Sequence, residues 1–217
     1  MEINFSLFFW VCIFARKQIM FYSIYAESTP NPEVMKFVSN RMLADKSVEF
    51  LNKNEAKKIP MIHKIFSLPF VDSVFLSSNF ISIKKSKNVE WGEILIELRN
   101  FITTILNEDD IQNYTENIIV EEKIKKDTVK KNDNVNVDRS DEEMEIIKIL
   151  DDYIRPAVEG DGGAIDFDSF NDGIVKVILK GACSGCPSST ATLKHGIESL
   201  LIQKLGEKIK EVVALNG

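Results

Sequence analysis

The chain has 217 residues, 44% of them hydrophobic and 28% charged, with a formal net charge of -6, three Cys and two His. At roughly 100–200 residues per domain it holds one ordinary domain or two small ones, and its composition speaks against wholesale disorder, collagen-like repetition and a polytopic membrane protein. The acidic balance argues against gripping nucleic acid by overall charge. So few Cys and His leave neither an extracellular disulfide framework nor a His-rich metal site, which points to a soluble protein of a reducing compartment.

The opening MEINFSLFFWVCIFARKQIM carries an almost wholly apolar run of eleven residues, Phe5 to Ala15. A bilayer-crossing helix needs ~20, so no stable membrane insertion is expected. Glu2 precedes the run and Arg16 and Lys17 follow it, the reverse of a secretory signal. Nor is the segment Arg- and Ser-rich like a mitochondrial transit peptide. Residues 1–20 are read as a dispensable extension, with a weak membrane-surface anchor as the other reading, and Cys12 within them is given no chemical role.

Residues 21–106 read as a small α/β domain. FYSIYAE and EVMKFVS are extended pieces separated by STPNP, whose prolines forbid a helix there. SVEFL is a further short strand. Pro60 suits a first helical position, with Ile62, Ile65 and Phe66 on one face. VDSVFLS and FISIKK flank Ser78-Asn79 as a hairpin. Asn88 can cap a helix bearing Trp91, Leu95, Leu98, Ile102 and Ile105 at three- and four-residue intervals. Residues 107–139 then turn dense in Asn, Asp, Glu and Lys. Such a stretch buries too little to offset its ordering entropy, and it is read as a flexible charged linker.

A second domain is expected over 140–217. Ser140 and Glu143 have capping-box spacing, and Ile146, Ile147, Leu150, Ile154 and Val158 mark one helical face that should end or kink near Arg155, before Pro156. EGDGG is a turn, and the Asp161-Gly162-Gly163 within it is read as structural. AIDFDSF and GIVKVILK form a hairpin about Asn171-Asp172-Gly173. A helix with Leu193, Ile197, Leu200, Leu201 and Leu205 inward follows, and EVVALN is a last strand. The fold class expected is α+β in two small domains, the C-terminal one a three-stranded sheet covered by two helices with a Cys-x-x-Cys loop.

That loop, Gly181-Ala182-Cys183-Ser184-Gly185-Cys186-Pro187-Ser188, carries the chemical signal. Two thiols separated by two residues can direct both sulfurs at one metal or iron–sulfur centre. The small flanking residues allow a tight turn, and Pro187 suits the first turn of a helix whose free N–H groups would favour the thiolate. Ser188, Ser189 and Thr190 would supply helix-start hydrogen bonds. Four readings stand. Two cysteines can be small apolar fillers. A zinc site would need more ligands, and its nearest candidate, His195, is better read as a solvated helix residue. A thiol–disulfide oxidoreductase also places Cys-x-x-Cys before a helix, although usually early in the chain after a βαβ pattern. The fourth is an iron–sulfur site.

The run from Arg155-Pro156-Ala157-Val158 through Asp161-Gly162-Gly163 to GACSGCPSSTATLKHGIESLL and EVVAL resembles the C-terminal domain of NifU-like (Nfu) iron–sulfur cluster proteins. YAESTPNPEVMKFV, FVDSVFLSSNFISIKK and the Trp-containing helix resemble the N-terminal domain of many Nfu proteins. The resemblance implies a non-enzymatic scaffold or carrier. It would hold a labile [4Fe–4S] cluster, or a [2Fe–2S] one, on Cys183 and Cys186 between the two chains of a homodimer. Counting agrees, since a cluster takes four thiolates and each such domain offers two. Partners implied are an upstream cluster donor and apo iron–sulfur client proteins. The N-terminal domain, which contains no cysteine, would be a partner-recognition module. With no convincing signal in the sequence, a bacterial cytoplasm is the default location, an organelle matrix the alternative.

Overall fold

The computed structural model of the chain describes residues 21–108 and 139–216, leaving aside the side chains of 187–189. The extension over 1–20, with Cys12, and nearly all of the linker over 107–139 lie outside the described residues. The fold is α+β with two sheets, as expected.

The first sheet contains β1 (Ile24–Ser28), β2 (Val34–Ser39), β3 (Val48–Phe50), β4 (Val71–Ser77) and β5 (Phe80–Lys85), in the order β1-β2-β5-β4-β3 with every pair antiparallel. The β4–β5 turn is the two-residue one expected, and Ser78 takes the left-handed conformation (φ 45°) that such turns require. Helices α1 (Pro60–Ile65) and α2 (Trp91–Glu108) complete this half. α2 begins at Trp91 rather than directly after Asn88, and the Trp91 indole N–H donates to Pro32 O at 2.9 Å. Strand side chains alternate between faces with period two. Phe37, Val74, Leu76, Ile81 and Ile83 join Ile62, Ile65, Leu98 and Ile102 in the main core of this half. Val38, Phe75 and Phe80 form a separate buried cluster on the opposite side, and it includes Ala164 of the second half. One face of this sheet is therefore covered by helices, and the centre of the other, around Phe75 and Phe80, by the second half of the chain.

The second half opens with α3 (Asp141–Ile149), where Ser140 Oγ accepts the Glu143 N–H at 3.2 Å and Glu143 Oε2 accepts the Ser140 N–H at 3.1 Å. This is the capping box read from the sequence. Pro156 does not end the helix. Residues Leu150–Ile154 form a π turn, after which α4 (Arg155–Gly160) carries Pro156 in its first turn. Proline has no N–H to lose there, and the wider turn accommodates its ring. Then come β6 (Gly163–Asn171), β7 (Ile174–Gly181), α5 (Pro187–Leu205) and β8 (Glu211–Asn216). Asp172 (φ 53°) and Gly173 (φ 85°) make the tight hairpin between β6 and β7. β8 lies parallel to β7, as a helical crossover permits, so the order is β6-β7-β8. Ile146, Val158, Ile165, Val175, Val177, Leu179, Ile197, Leu201 and Val212 are its core. Of the five apolar positions expected to face inward from α5, Ile197 and Leu201 are fully buried, while Leu193, Leu200 and Leu205 pack at the core's margin.

Candidate metal centre

The cysteine loop lies between the end of β7 and the start of α5. Gly181 (φ 65°) and Gly185 (φ 73°) adopt left-handed backbone angles, which lets the chain reverse within a few residues. Internal hydrogen bonds hold the reversal. The Ser184 N–H and Oγ both donate to Gly181 O, at 3.1 and 3.0 Å, and the Thr190 N–H donates to Cys186 O at 2.9 Å. Thr190 Oγ1 donates back to Cys183 O at 3.3 Å, so this residue ties the loop to the helix rather than capping a free helix N–H as expected. Cys186 is the N-cap of α5 and Pro187 its first residue, as the spacing predicts. The side chains of Ser188 and Ser189 lie outside the described residues.

The two thiols occupy different surroundings. Cys186 is partly exposed, whereas Cys183 is buried within the core of the second half. An added Cβ at Gly163 would stand 2.8 Å from Cys183 Sγ, so the sulfur takes the space that glycine leaves. Burial, with a smaller contribution from the negative charge of Asp161, pushes the Cys183 thiol up to about 12. The helix start was expected to favour a thiolate. At Cys183 burial acts in the opposite direction. Taken alone, Cys183 sits where a small apolar filler would sit; Cys186, capping α5, does not. His195 is exposed on α5, as a solvated residue would be. Among the described residues no three His, Cys, Asp or Glu side chains form a group able to hold a metal ion.

Sequence reasoning missed the residues that surround the loop from the first half of the chain. Asn31, presented by the STPNP turn, donates from Nδ2 to Ala182 O at 3.3 Å. Glu49 Oε1 on β3 accepts the Gly181 N–H at 3.2 Å, while its Oε2 is buried without a partner. Burial raises the Glu49 carboxyl above its ordinary value despite that bond. The Phe75 ring lies so close over Gly181 that a Cβ there would meet it at 2.8 Å. Beside the loop, Lys36 Nζ donates to Gly160 O at 2.9 Å and Ser82 Oγ to Gly162 O at 2.6 Å. The only sequence signal for this contact was the pairing of Lys36 and Ser82 with apolar neighbours on alternating strands, a pattern that ordinarily marks a solvated face.

Two family models match the chain: the Nfu/NifU scaffold protein N-terminal family over residues 24–109, and the NifU-like domain over residues 146–213. NifU-like protein 4, mitochondrial, of Arabidopsis thaliana is 32% identical over 201 residues, covering 91% of this chain and 67% of that protein. NifU-like protein 5, mitochondrial, of the same plant is 32% identical over 187 residues, covering 85% of this chain and 65% of its own length. The mitochondrial NFU1 iron–sulfur cluster scaffold homolog of Drosophila willistoni is 35% identical over 191 residues, with 85% of this chain and 60% of that protein covered. The chain thus spans roughly two thirds of the length of the relatives it matches. The Drosophila protein's name describes a scaffold, and all three names place those proteins in mitochondria, which gives the expected bacterial cytoplasm no support. Two domain families in their expected order, together with relatives similar across most of the sequence, make this chain a member of the NifU-like (Nfu) iron–sulfur cluster scaffold family.

Proposed function

We propose that this chain carries an iron–sulfur cluster as cargo on Cys183 and Cys186 and passes it to apo-proteins. The observation that carries the reading is the half-complete donor set. Two thiols share one short turn before α5, and among the described residues no further metal-binding group accompanies them. A cluster requires four thiolates, so two chains related by a twofold would complete the shell around a [4Fe–4S] core. A [2Fe–2S] core would use the same four sulfurs. The proposed domains are residues 21–106 and 140–217, separated by a linker over 107–139, and the proposed location is an organelle matrix.

Handing the cargo over is ligand exchange. A client thiolate forms a bond to an iron as one Fe–S(Cys) bond of the carrier breaks. The proton lost by the client's thiol is balanced by the one regained by the released cysteine, with no net oxidation. The step needs neither a general base nor a substrate pocket, only loops whose sulfurs can leave. An upstream donor protein would fill the site by the same exchange. The rival reading, a disulfide reductase, calls for a reactive thiolate. Its Cys-x-x-Cys ordinarily follows a βαβ unit, whereas here the pair follows the β6–β7 hairpin.

Anaerobic incubation with ferrous iron and sulfide tests the assignment. The unaltered chain should turn brown and hold about two irons per chain, half of a four-iron cluster. Cys183→Ser and Cys186→Ser should each abolish uptake. Equal iron and sulfide in both variants would overturn it, as would metal-free turnover of a disulfide substrate by the unaltered chain.

A further inference from the structure

The first sheet does more than pack somewhere against the second half of the chain; it grips the cysteine loop itself. Ala182 O belongs to the peptide that joins Ala182 to Cys183, and it accepts the Asn31 side-chain amide. One residue earlier, the Gly181 N–H is held by Glu49. Gly162 O accepts both the Ala182 N–H, at 3.2 Å, and Ser82 Oγ, so a single carbonyl ties loop and sheet together. Phe75 covers Gly181, and the Lys84 ammonium lies 3.4 Å from where a side chain on Gly185 would begin. Ala164, 1% exposed on β6, is packed in the cluster formed by Val38, Phe75 and Phe80. Cys183 itself is 6% exposed, enclosed by Gly163 and the core of the second half, while the first sheet holds the backbone that leads into it at Gly181 and Ala182.

From this geometry we infer that the N-terminal domain is a latch: its sheet holds the cysteine loop in a resting conformation, and it must come away before Cys183 can be used. The inference rests on the proposed role of Cys183 as a cluster ligand. It differs from that reading in what it says of the N-terminal domain, which was expected to recognise partners and here restrains the loop of its own chain. Separation would expose the Asn31, Glu49 and Phe75 face and would remove their hold on the Gly181–Ala182 backbone, leaving only the second half's own Ala182 N–H to Gly162 O bond and strand pairing to give way as the thiol turns outward.

Iodoacetamide labelling of the full chain, read peptide by peptide by mass spectrometry, tests the latch without iron or sulfide. Two variants break the contact from opposite sides. Ala164→Glu places a charge against Phe75 and Phe80, and Ser82→Asp sets a carboxylate against Gly162 O. In each, the ratio of Cys183 to Cys186 labelling should rise at least ten-fold while far-UV circular dichroism stays unchanged. A folded variant that labels Cys183 at the wild-type ratio overturns the latch. The unaltered chain supplies a check that survives misfolding of both variants. Its Cys183 should be labelled through an opening more frequent than the one that exchanges the Val177 amide in the core strand β7. Equal opening frequencies would mean that only unfolding exposes Cys183, and the latch would be refuted. Because no metal enters these assays, a failed latch leaves the cluster assignment to its own iron-loading test, and a failed loading leaves the labelling result readable.

Discussion

At Gly163 one added carbon should disturb both the β6–β7 ladder and the packing of Cys183. An alanine Cβ there would lie 2.6 Å from Lys180 O, 2.8 Å from Cys183 Sγ and 3.1 Å from Cys183 Cβ. The carbonyl belongs to β7, and Gly163 pairs with Gly181 while Ala164 pairs with Lys180, so the backbone cannot retreat without opening the ladder. Sulfur could move, but only out of the core it shares with Ile165 and Val177. Overpacking of this kind costs about 1–3 kcal/mol, and at about 4–8 °C per kcal/mol for a small domain the midpoint should fall by roughly 4–24 °C. Scanning calorimetry of Gly163→Ala beside the unaltered chain measures it. Gly196→Ala is the control of opposite sign. Nothing lies within 4 Å of its Cβ, and in the middle of α5 alanine is preferred to glycine by about 1 kcal/mol. If Gly163→Ala melts at or above the wild-type temperature, the packing ascribed to Cys183 is wrong.

Two further outcomes are expected. The raised carboxyl of Glu49 means that the folded chain holds this proton more tightly than the unfolded chain does. Its contribution to stability is therefore full below the ordinary value of 4.5 and is lost as pH rises through the folded value. Glu49→Gln should accordingly melt above wild type near neutral pH, with the gap closing below about pH 4; melting series across pH check it, and a gap that widens on acidification contradicts it. Ser140→Ala removes one arm of the capping box and should cost the second half about 1 kcal/mol in urea unfolding, an effect absent if α3 does not depend on its cap.

Much of the fold could be read in advance because local chemistry and tertiary packing agree. The Ser78-Asn79 and Asp172-Gly173 turns, the Ser140 cap and the Cys186-Pro187 helix start all lie where short-range rules put them. The π turn ahead of Pro156 was not legible, since the rules say that proline disturbs a helix without saying how neighbours absorb it. The cysteine pair was legible as a candidate site from spacing and flanking glycines. The burial of Cys183 was not, because it depends on Gly163 and on core residues remote in sequence. Nor was the contact made by Asn31, Glu49 and Ser82 with the backbone of residues 162–182, which spans up to 151 positions along the chain. No periodicity reports what lies against the second face of a sheet.

Native mass spectrometry of the anaerobically loaded protein tests the central claim most directly. If each chain supplies half of the coordinating sulfurs, the iron-bearing species should have the mass of two chains plus one cluster, and Cys183→Ser should leave only metal-free protein. A single chain holding a complete cluster, or a two-chain species that keeps its cluster after that substitution, would contradict the account.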